Sequence, residues 1–144
     1  MNNQEQIDLA ISIAKQAHEG QFRRGGKPYF SHVSAVANLL SVSGHSWDIV
    51  SAGYLHDVVE DTDYTIDQLA DLGVDWRVLL LIEVLTHKKG QSYEEYIIRI
   101  QSSSSAVKKI KIADIIHNLS SSPTERQVRK YARALEILNF GITV

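Results

Sequence analysis

The chain has 144 residues, of which 44% are apolar and 22% are charged, and its formal net charge is −2. This composition is typical of a globular protein rather than a disordered one, and the net charge argues against a general binder of DNA or RNA. The chain has no cysteine, which excludes disulfides, thiolate catalysis and thiolate metal ligands and leaves imidazole and oxygen for any metal site.

Apolar residues recur at helical spacing through most of the chain, and no stretch has the alternation of a strand. The predicted helices span residues 4–18, 31–42, 46–59, 66–72, 76–85, 92–100 and 106–119, with a final helix after residue 124. The predicted N-caps are Ser31, Thr65, Asp75 and Thr124. The sequence therefore predicts an all-α fold, a single-domain bundle of seven or eight helices over residues 1–144.

The first connection between helices is a basic loop. Residues 21–29, Q-F-R-R-G-G-K-P-Y, contain two glycines and a proline, so Arg23, Arg24 and Lys27 should lie outside regular structure, where a loop can close over a ligand. Grouped positive charges of this kind suit a small anion better than a long polyanion. Taken alone, such a group is more often a solvated surface.

A cluster of acids ends the third predicted helix. Residues 52–65, A-G-Y-L-H-D-V-V-E-D-T-D-Y-T, put His56 and Asp57 side by side, with Glu60 and Asp61 one helical turn beyond them. Apolar neighbours should draw part of this cluster inward, where unpaired carboxylates are costly and a divalent cation stabilises them. The His-Asp pair alone is weak evidence for a metal site, because the same two residues also occur where a core histidine lies beside a solvated helix end.

Two distant positions provide further candidate ligands. His32 lies in the first turn of its predicted helix, on the apolar face, although a lone inward histidine is more often structural. In helix 106–119, the side chains of Lys111, Asp114 and Asn118 share one face. The aspartate interrupts the apolar string I-K-I-A-D-I-I and therefore needs a partner inside the fold.

Taken together, the H…HD…D order of these residues resembles the HD superfamily of metal-dependent phosphohydrolases. Four strings are similar, in order, to motifs of the hydrolase domain of RelA/SpoT-type alarmone enzymes: Q-F-R-R-G-G-K-P-Y-F-S-H, A-G-Y-L-H-D-V-V-E-D-T, K-I-A-D-I-I-H-N-L and K-Y-A-R-A-L-E-I-L. Because no synthetase motif follows these strings within the 144 residues, we expect the chain to resemble the stand-alone small alarmone hydrolases. The resemblance implies a helical bundle of the HD-domain type.

The resemblance also implies an activity, the Mn²⁺-dependent removal of the 3′-pyrophosphate from guanosine 3′,5′-bis(diphosphate), or ppGpp, by a metal-activated water. The implied metal ligands are His32, His56, Asp57 and Asp114. The implied residues for handling the water are Glu60 and Asp61. The implied substrate contacts are Arg23 and Asn118. Arg24 and Lys27 of the basic loop are expected to contact the substrate as well, and Lys111, among the basic side chains at the rim of the site, is expected to offset charge on the pyrophosphate. Two imidazoles and two carboxylates suit Mn²⁺, Fe²⁺ or Zn²⁺ equally well by ligand chemistry.

The expected partner is thus a small nucleotide, and the sequence leaves the oligomeric state open. The longest apolar runs are too short to span a bilayer and the N-terminus lacks the pattern of a signal peptide. We therefore expect a cytoplasmic protein with no membrane partner.

The sequence departs from the family at positions that bear on the substrate. The family usually has a basic residue directly after the aspartate of its K-x-A-D motif and often an arginine soon after the asparagine. This chain has Ile115 and the serines of 120–122 there. A second hypothesis is therefore an HD phosphohydrolase acting on another nucleotide, such as the 2′-phosphate of NADPH or a nucleoside monophosphate. A third hypothesis, a non-catalytic nucleotide-binding module, is disfavoured by the intact set of ligands.

The remaining histidines and aromatic residues are interpreted as structural. His18 lacks an adjacent acid, and neither His87 nor His117 has a carboxylate at ligand spacing. The tryptophans and most tyrosines are predicted to lie in the core rather than to stack on a base.

Overall fold

The computed structural model describes residues 1–140, and it confirms the all-α prediction. The helices are α1 (Asn3–Ala17), α2 (Phe30–Val42), α3 (Trp47–Leu55), α4 (Val58–Asp61), α5 (Ile66–Asp71), α6 (Trp76–Leu85), α7 (Tyr93–Gln101), α8 (Ser105–Leu119) and α9 (Glu125–Phe140). Within residues 1–140 the β-structure is limited to one isolated bridge between Phe22 and Pro28. In the same part of the chain, every helix is too short or too polar to cross a membrane.

The third predicted helix is divided in two. It ends at Leu55, and after His56 and Asp57 the one-turn helix α4 begins. Asp57 has φ −103° and ψ −3°, away from the centre of the helical region, so the chain turns at this point. The prediction of one helix over 46–59 is therefore wrong at this turn. The turn lets two adjacent side chains face the same point, which a continuous helix would separate by about 100°.

Three predicted N-caps are confirmed, because each side chain accepts a hydrogen bond from a backbone N–H of the first turn: Thr65, Asp75 and Thr124. The prediction for Ser31 is wrong. Helix α2 already begins at Phe30, and the Ser31 hydroxyl donates to the carbonyl of Pro28 at 2.7 Å. The residue before the helix, Tyr29, has helical dihedral angles, so the chain passes from the loop into α2 without an extended cap.

One apolar core joins the helices that carry the candidate ligands, since α2 packs against both α3 and α8. Helices α2 and α3 approach each other closely at Gly53. A Cβ at this position would lie 2.9 Å from Leu40 Cδ1 and 3.2 Å from the Cα of Ala37. Glycine is thus required here by packing, and it brings the helix of His32 against the helix that ends just before His56.

Candidate active site

Four polar side chains from three parts of the chain converge inside the bundle. His32 lies on α2, His56 and Asp57 occupy the turn between α3 and α4, and Asp114 lies on α8. The Nε2 atom of His32 is 2.7 Å from Asp114 Oδ1. The Nε2 atom of His56 is 3.1 Å from Asp57 Oδ2 and 3.2 Å from Asp114 Oδ1. One ligand atom from each residue lies within 4.8 Å of the others, so this His-Asp cluster could hold a divalent metal ion.

Hydrogen bonds fix the orientation of His56. Its Nδ1 atom is 2.7 Å from the carbonyl oxygen of Gly53, and only an N–H can bond to that acceptor. With Nδ1 as the donor to Gly53, Nε2 is the ring nitrogen directed at the cluster, and imidazole binds a metal through such a nitrogen once it has lost its proton.

The orientation of His32 follows from its neighbours. Arg23 Nη1 lies 3.1 Å from His117 Nδ1, and a guanidinium can only donate, so this nitrogen of His117 is an acceptor. The Nδ1 atom of His32 lies 2.7 Å from the same nitrogen and must therefore carry the proton of that bond. The Nε2 atom of His32, which faces Asp114, is then the ring nitrogen that can bind a metal, as it is in His56.

Burial and charge act against each other in the cluster. Burial raises the pKa of Asp57 and Asp114, but the neighbouring cations outweigh it. The charge of His56 lowers the pKa of Asp57 to about 2, and Lys111 with the two histidines holds that of Asp114 well below its usual range. Burial likewise lowers the pKa of His56, but the charges of both carboxylates raise it well above its ordinary value. Both acids are therefore ionised, and the cluster favours a positive charge at its centre.

Tyr29 also belongs to the site, although the sequence did not predict it there. Its hydroxyl donates a 2.6 Å hydrogen bond to Asp57 Oδ2, and its ring lies 4.9 Å from that of His18, centroid to centroid. His18 is buried and bonds Gln21 Oε1 through Nδ1 at 2.8 Å, in agreement with its predicted structural role. The position of Tyr29 at the end of a Gly- and Pro-rich loop carries no periodic signal that could have identified this contact.

Glu60 and Asp61 flank the His-Asp cluster, and each can bring a carboxylate oxygen within 4.8 Å of one from Asp57. The Oε1 atom of Glu60 accepts a 2.6 Å hydrogen bond from the backbone N–H of His87. Burial raises the pKa of Glu60, and burial together with the charge of Asp57 raises that of Asp61 to about 6. These are two carboxylates with weakened acidity beside a cation site, in the positions that the sequence predicts.

A cavity of about 280 Å³ opens over the cluster. It is lined by Tyr29, Asp57, Glu60, Asp61, His87, Tyr93, Tyr96, Lys111, Asp114, Asn118, Lys130 and Tyr131. The structure corrects the rim position predicted for Lys111, whose side chain is only 12% exposed and whose Nζ is 2.8 Å from Asp114 Oδ2. An ammonium inside the fold needs a carboxylate partner, and this pairing also holds Asp114 in place.

A smaller cavity of about 200 Å³ adjoins the first one and shares Tyr29, Asn118 and Tyr131 with it. Arg23 and Arg24 from the basic loop line this second cavity. The Nη2 atom of Arg23 donates to Asn118 Oδ1 at 3.0 Å, and the amide of Asn118 in turn lies 3.4 Å from Asp114 Oδ1. Lys27 is exposed and lines neither of the two cavities.

The structure also corrects the interpretation of His117. This histidine accepts hydrogen bonds from both Arg23 and His32 and so connects the loop to the cluster. Burial lowers its pKa, and the charges of His32 and Arg23 lower it further, which keeps it neutral and able to accept. Its partners lie 94 and 85 positions away in the sequence, so the spacing of nearby carboxylates could not reveal this role.

A buried group of histidines and aspartates at the centre of an all-helical bundle defines the class of protein, a helical metal-site domain. The HD domain family matches residues 10–139, and the chain belongs to this family. A solved structure of a metazoan orthologue of SpoT, described as hydrolysing ppGpp, superimposes with a TM-score of 0.80 at 29% identity. The superposition covers 93% of this chain and 84% of that one.

Two curated bacterial relatives are similar in sequence. A guanosine-3′,5′-bis(diphosphate) 3′-pyrophosphohydrolase of Haemophilus influenzae is 49% identical over 59 residues, which is 41% of this chain and 9% of that protein. A probable GTP pyrophosphokinase of Mycobacterium leprae is 36% identical over 143 residues, which is 92% of this chain and 18% of that protein. The chain thus spans less than a fifth of the length of these two relatives.

Proposed function

We propose that this chain is a metal-dependent hydrolase that releases pyrophosphate from the 3′ position of ppGpp. The observation that carries the proposal is the His-Asp cluster, with four ligand atoms within 4.8 Å of one another, of which Asp57 and Asp114 line a cavity. Two further carboxylates, Glu60 and Asp61, line the same cavity and can act on an attacking water. The similarity to the Haemophilus influenzae hydrolase and to the metazoan ppGpp hydrolase supports the choice of substrate.

The residues fit a divalent metal ion. His32 and His56 direct Nε2 into the cluster, where each ring can bind the ion in its deprotonated form, and Asp57 and Asp114 supply negative charge. We propose Mn²⁺ as the ion, with Fe²⁺ and Zn²⁺ sharing the same donor preferences. When bound, such an ion supplies Lewis acidity, which activates water and offsets charge on a phosphoryl group.

In this proposal Glu60 and Asp61 orient the attacking water and accept its proton. A carboxylate whose pKa lies nearer to neutral is a better general base than an ordinary one, and burial raises the pKa of both groups. The backbone N–H of His87 holds the Glu60 carboxylate in one orientation, which leaves the oxygen that does not accept this bond for the water. No covalent nucleophile is required.

The nucleoside would occupy the smaller cavity. Arg23 presents a planar guanidinium, already held by Asn118 and His117, that can stack on a purine. Arg24, exposed beside it, would offset phosphate charge, and Lys27 on the same loop could approach the substrate as the loop closes.

The sequence alternative, an enzyme for another nucleotide phosphate, depends on Ile115 in place of a basic residue. Ile115 is completely buried in the core. A side chain at this position does not face the cavity, so its identity removes no substrate contact there. Ser121, from the serine run, has its hydroxyl 3.1 Å from Arg23 Nη1 and supports the loop.

A substrate panel tests the proposal. The purified protein with Mn²⁺ is incubated with ppGpp, NADPH and a deoxynucleoside monophosphate, and pyrophosphate and orthophosphate are measured separately. We expect pyrophosphate from ppGpp alone, and none from the Asp57→Ala variant. Orthophosphate from NADPH or the monophosphate, without turnover of ppGpp, would support the alternative activity and contradict ours.

A further inference from the structure

Helices α7 and α9 form one end of the 280 Å³ cavity, and this end has side chains that the proposed chemistry does not use. Tyr93 on α7 and Lys130 on α9 line this end, and neither belongs to the residues assigned above to the metal, the water or the nucleoside. The ammonium of Lys130 lies 4.1 Å from the centre of the Tyr93 ring. The two polar groups therefore belong to one small region of the cavity wall.

The hydroxyl of Tyr93 lacks a hydrogen-bond partner among residues 1–140. Of the four tyrosines that line the cavity, Tyr29 donates to Asp57 and Tyr96 donates to the carbonyl of Leu85. The Tyr93 oxygen is buried but makes no such bond in this part of the chain. Burial raises the pKa of this phenol, so it is a neutral donor that lacks an acceptor. Such a group is costly unless a ligand supplies the acceptor.

Lys130 differs from the other lysine of the cavity. Lys111 is paired with Asp114 at 2.8 Å, whereas within residues 1–140 no carboxylate lies within ion-pair distance of Lys130. The cavity wall thus carries one ammonium that lies over the Tyr93 ring without a carboxylate partner, and one hydroxyl without an acceptor, both judged within residues 1–140. An ammonium and a hydroxyl that both lack an acceptor can donate hydrogen bonds to an anion with several oxygens.

The position of the ammonium and the hydroxyl indicates which anion they would bind. The Lys111 ammonium lies 2.8 Å from the Asp114 carboxylate and 6.0 Å from the Tyr93 ring, so it stands between the His-Asp cluster and the Tyr93 end of the cavity. Release of pyrophosphate requires attack on the phosphorus next to the ribose, and the 3′-oxygen of the nucleoside leaves as the alcohol after taking up a proton. A phosphoryl group attacked at the cluster can extend its second phosphoryl group toward Tyr93. A pyrophosphate is longer than a phosphate by one phosphoryl group, and that group would reach the α7 and α9 wall.

We propose that Lys130 and Tyr93 form a subsite for the terminal phosphoryl group of the 3′-pyrophosphate, and that this subsite makes the enzyme prefer pyrophosphate to monophosphate esters. The assignment to this substrate rests on the proposed function. The subsite binds the terminal phosphoryl group of the pyrophosphate by hydrogen bonds and takes no part in the proton transfer.

The test compares two inorganic probes. Protein loaded with one equivalent of Mn²⁺ is titrated with pyrophosphate and with orthophosphate, and the metal content of the recovered protein is measured to check that the probe has not removed the ion. For Lys130→Met we expect the affinity for pyrophosphate, relative to that for orthophosphate, to fall about 10- to 100-fold. For Tyr93→Phe, which keeps the ring, we expect a fall of about tenfold.

Arg129→Met is the matched control, because Arg129 is an exposed cation on the same helix and pairs with Glu125. We expect this variant to keep the wild-type ratio of affinities. An unchanged ratio in both Lys130→Met and Tyr93→Phe, or an equal fall in Arg129→Met, would overturn the subsite.

Turnover of ppGpp by the same proteins separates this inference from the proposed function. If the wild-type protein releases pyrophosphate and Lys130→Met lowers kcat/KM for ppGpp about tenfold or more, both are supported. If the wild-type protein is inactive on ppGpp but the affinity ratio still falls in the variants, the proposed substrate is wrong and the anion subsite stands. If the wild-type protein is active and the ratio does not change, the function stands and the subsite is wrong.

Discussion

The His-Asp cluster borders one of two adjoining cavities and the basic loop of residues 21–29 borders the other, and the two regions are held in different ways. The side chains of the cluster are buried and come from helices that share the core. The loop is largely exposed, and one β-bridge between Phe22 and Pro28 closes it. The two regions therefore differ in the roles that we propose for them. The groups proposed for the chemistry are fixed by the core, whereas the groups proposed for recognition lie where they can adapt to a ligand.

Two side chains connect these regions. Tyr29, at the end of the loop, donates to Asp57, and His117 accepts from both Arg23 and His32. Each contact joins a proposed ligand of the metal to the segment that would hold the nucleotide. We therefore expect a mutation to affect the cluster alone or the loop alone only if it leaves both of these contacts intact.

The largest effects should come from the cluster and its flanking acids. Asp57→Ala removes a carboxylate from the proposed metal site, so we expect loss of bound Mn²⁺ and of activity. Glu60→Ala removes a proposed base, so we expect the metal to stay bound while kcat falls about 10²- to 10⁴-fold. Metal analysis after gel filtration, combined with single-turnover rates, measures both. Equal loss of metal in the two variants would contradict the assigned roles.

A smaller effect is expected where the loop supports the cluster. Tyr29→Phe removes only the hydroxyl that donates to Asp57 Oδ2 at 2.6 Å. Loss of a partner that orients a metal ligand typically lowers metal affinity about 10- to 100-fold, and we expect a change in this range. A competition titration with a metal-binding dye measures it.

Tyr64→Phe is the control for this variant, because Tyr64 packs on the core and lines a surface pocket on the α1 and α5 side instead of the proposed site. We expect its metal affinity to equal that of the wild type. If Tyr29→Phe also binds metal as the wild type does, the loop does not support the cluster, and the two regions are more independent than we infer.

The buried region was the more predictable of the two. A histidine or aspartate among apolar residues at helical spacing is unfavourable unless it has a partner, so His32, Asp57 and Asp114 could be selected from sequence. The turn at 56–57 could not be found in this way, because apolar spacing continues through it. The burial of Lys111 could not be predicted for a related reason. The spacing places Lys111 on the same helix face as Asp114, but it does not show how deeply that face is buried.

The contacts between the regions could not be predicted at all. They depend on which loop residue meets which helix, and the partners of His117 lie 85 and 94 positions away. Sequence spacing reports on neighbours one or two turns apart, so a histidine whose partners are both distant looks unoccupied. The same limit applies to Tyr93 and Lys130, which meet only because α7 and α9 pack together.

The smallest effect, and the sharpest test of the comparison, is expected for His117. His117→Ala removes one acceptor that serves both regions, so Arg23 loses a partner on the nucleotide side and His32 loses the group that fixes its tautomer. We expect metal affinity to fall by up to about tenfold, at the lower end for a residue that orients a ligand, and KM to rise severalfold. His117→Gln, which restores an acceptor oxygen, should recover part of both losses.

The neighbouring Ile116 provides the control, because it is 47% exposed on the same helix and Ile116→Ala should change neither quantity. A purely structural role for His117 would lower the melting temperature of the alanine variant while leaving metal affinity and KM of the folded protein at wild-type values. A change in KM alone would place His117 with the loop, and a change in metal affinity alone would place it with the cluster. Only a change in both, partly reversed by glutamine, supports a histidine that holds the two regions together.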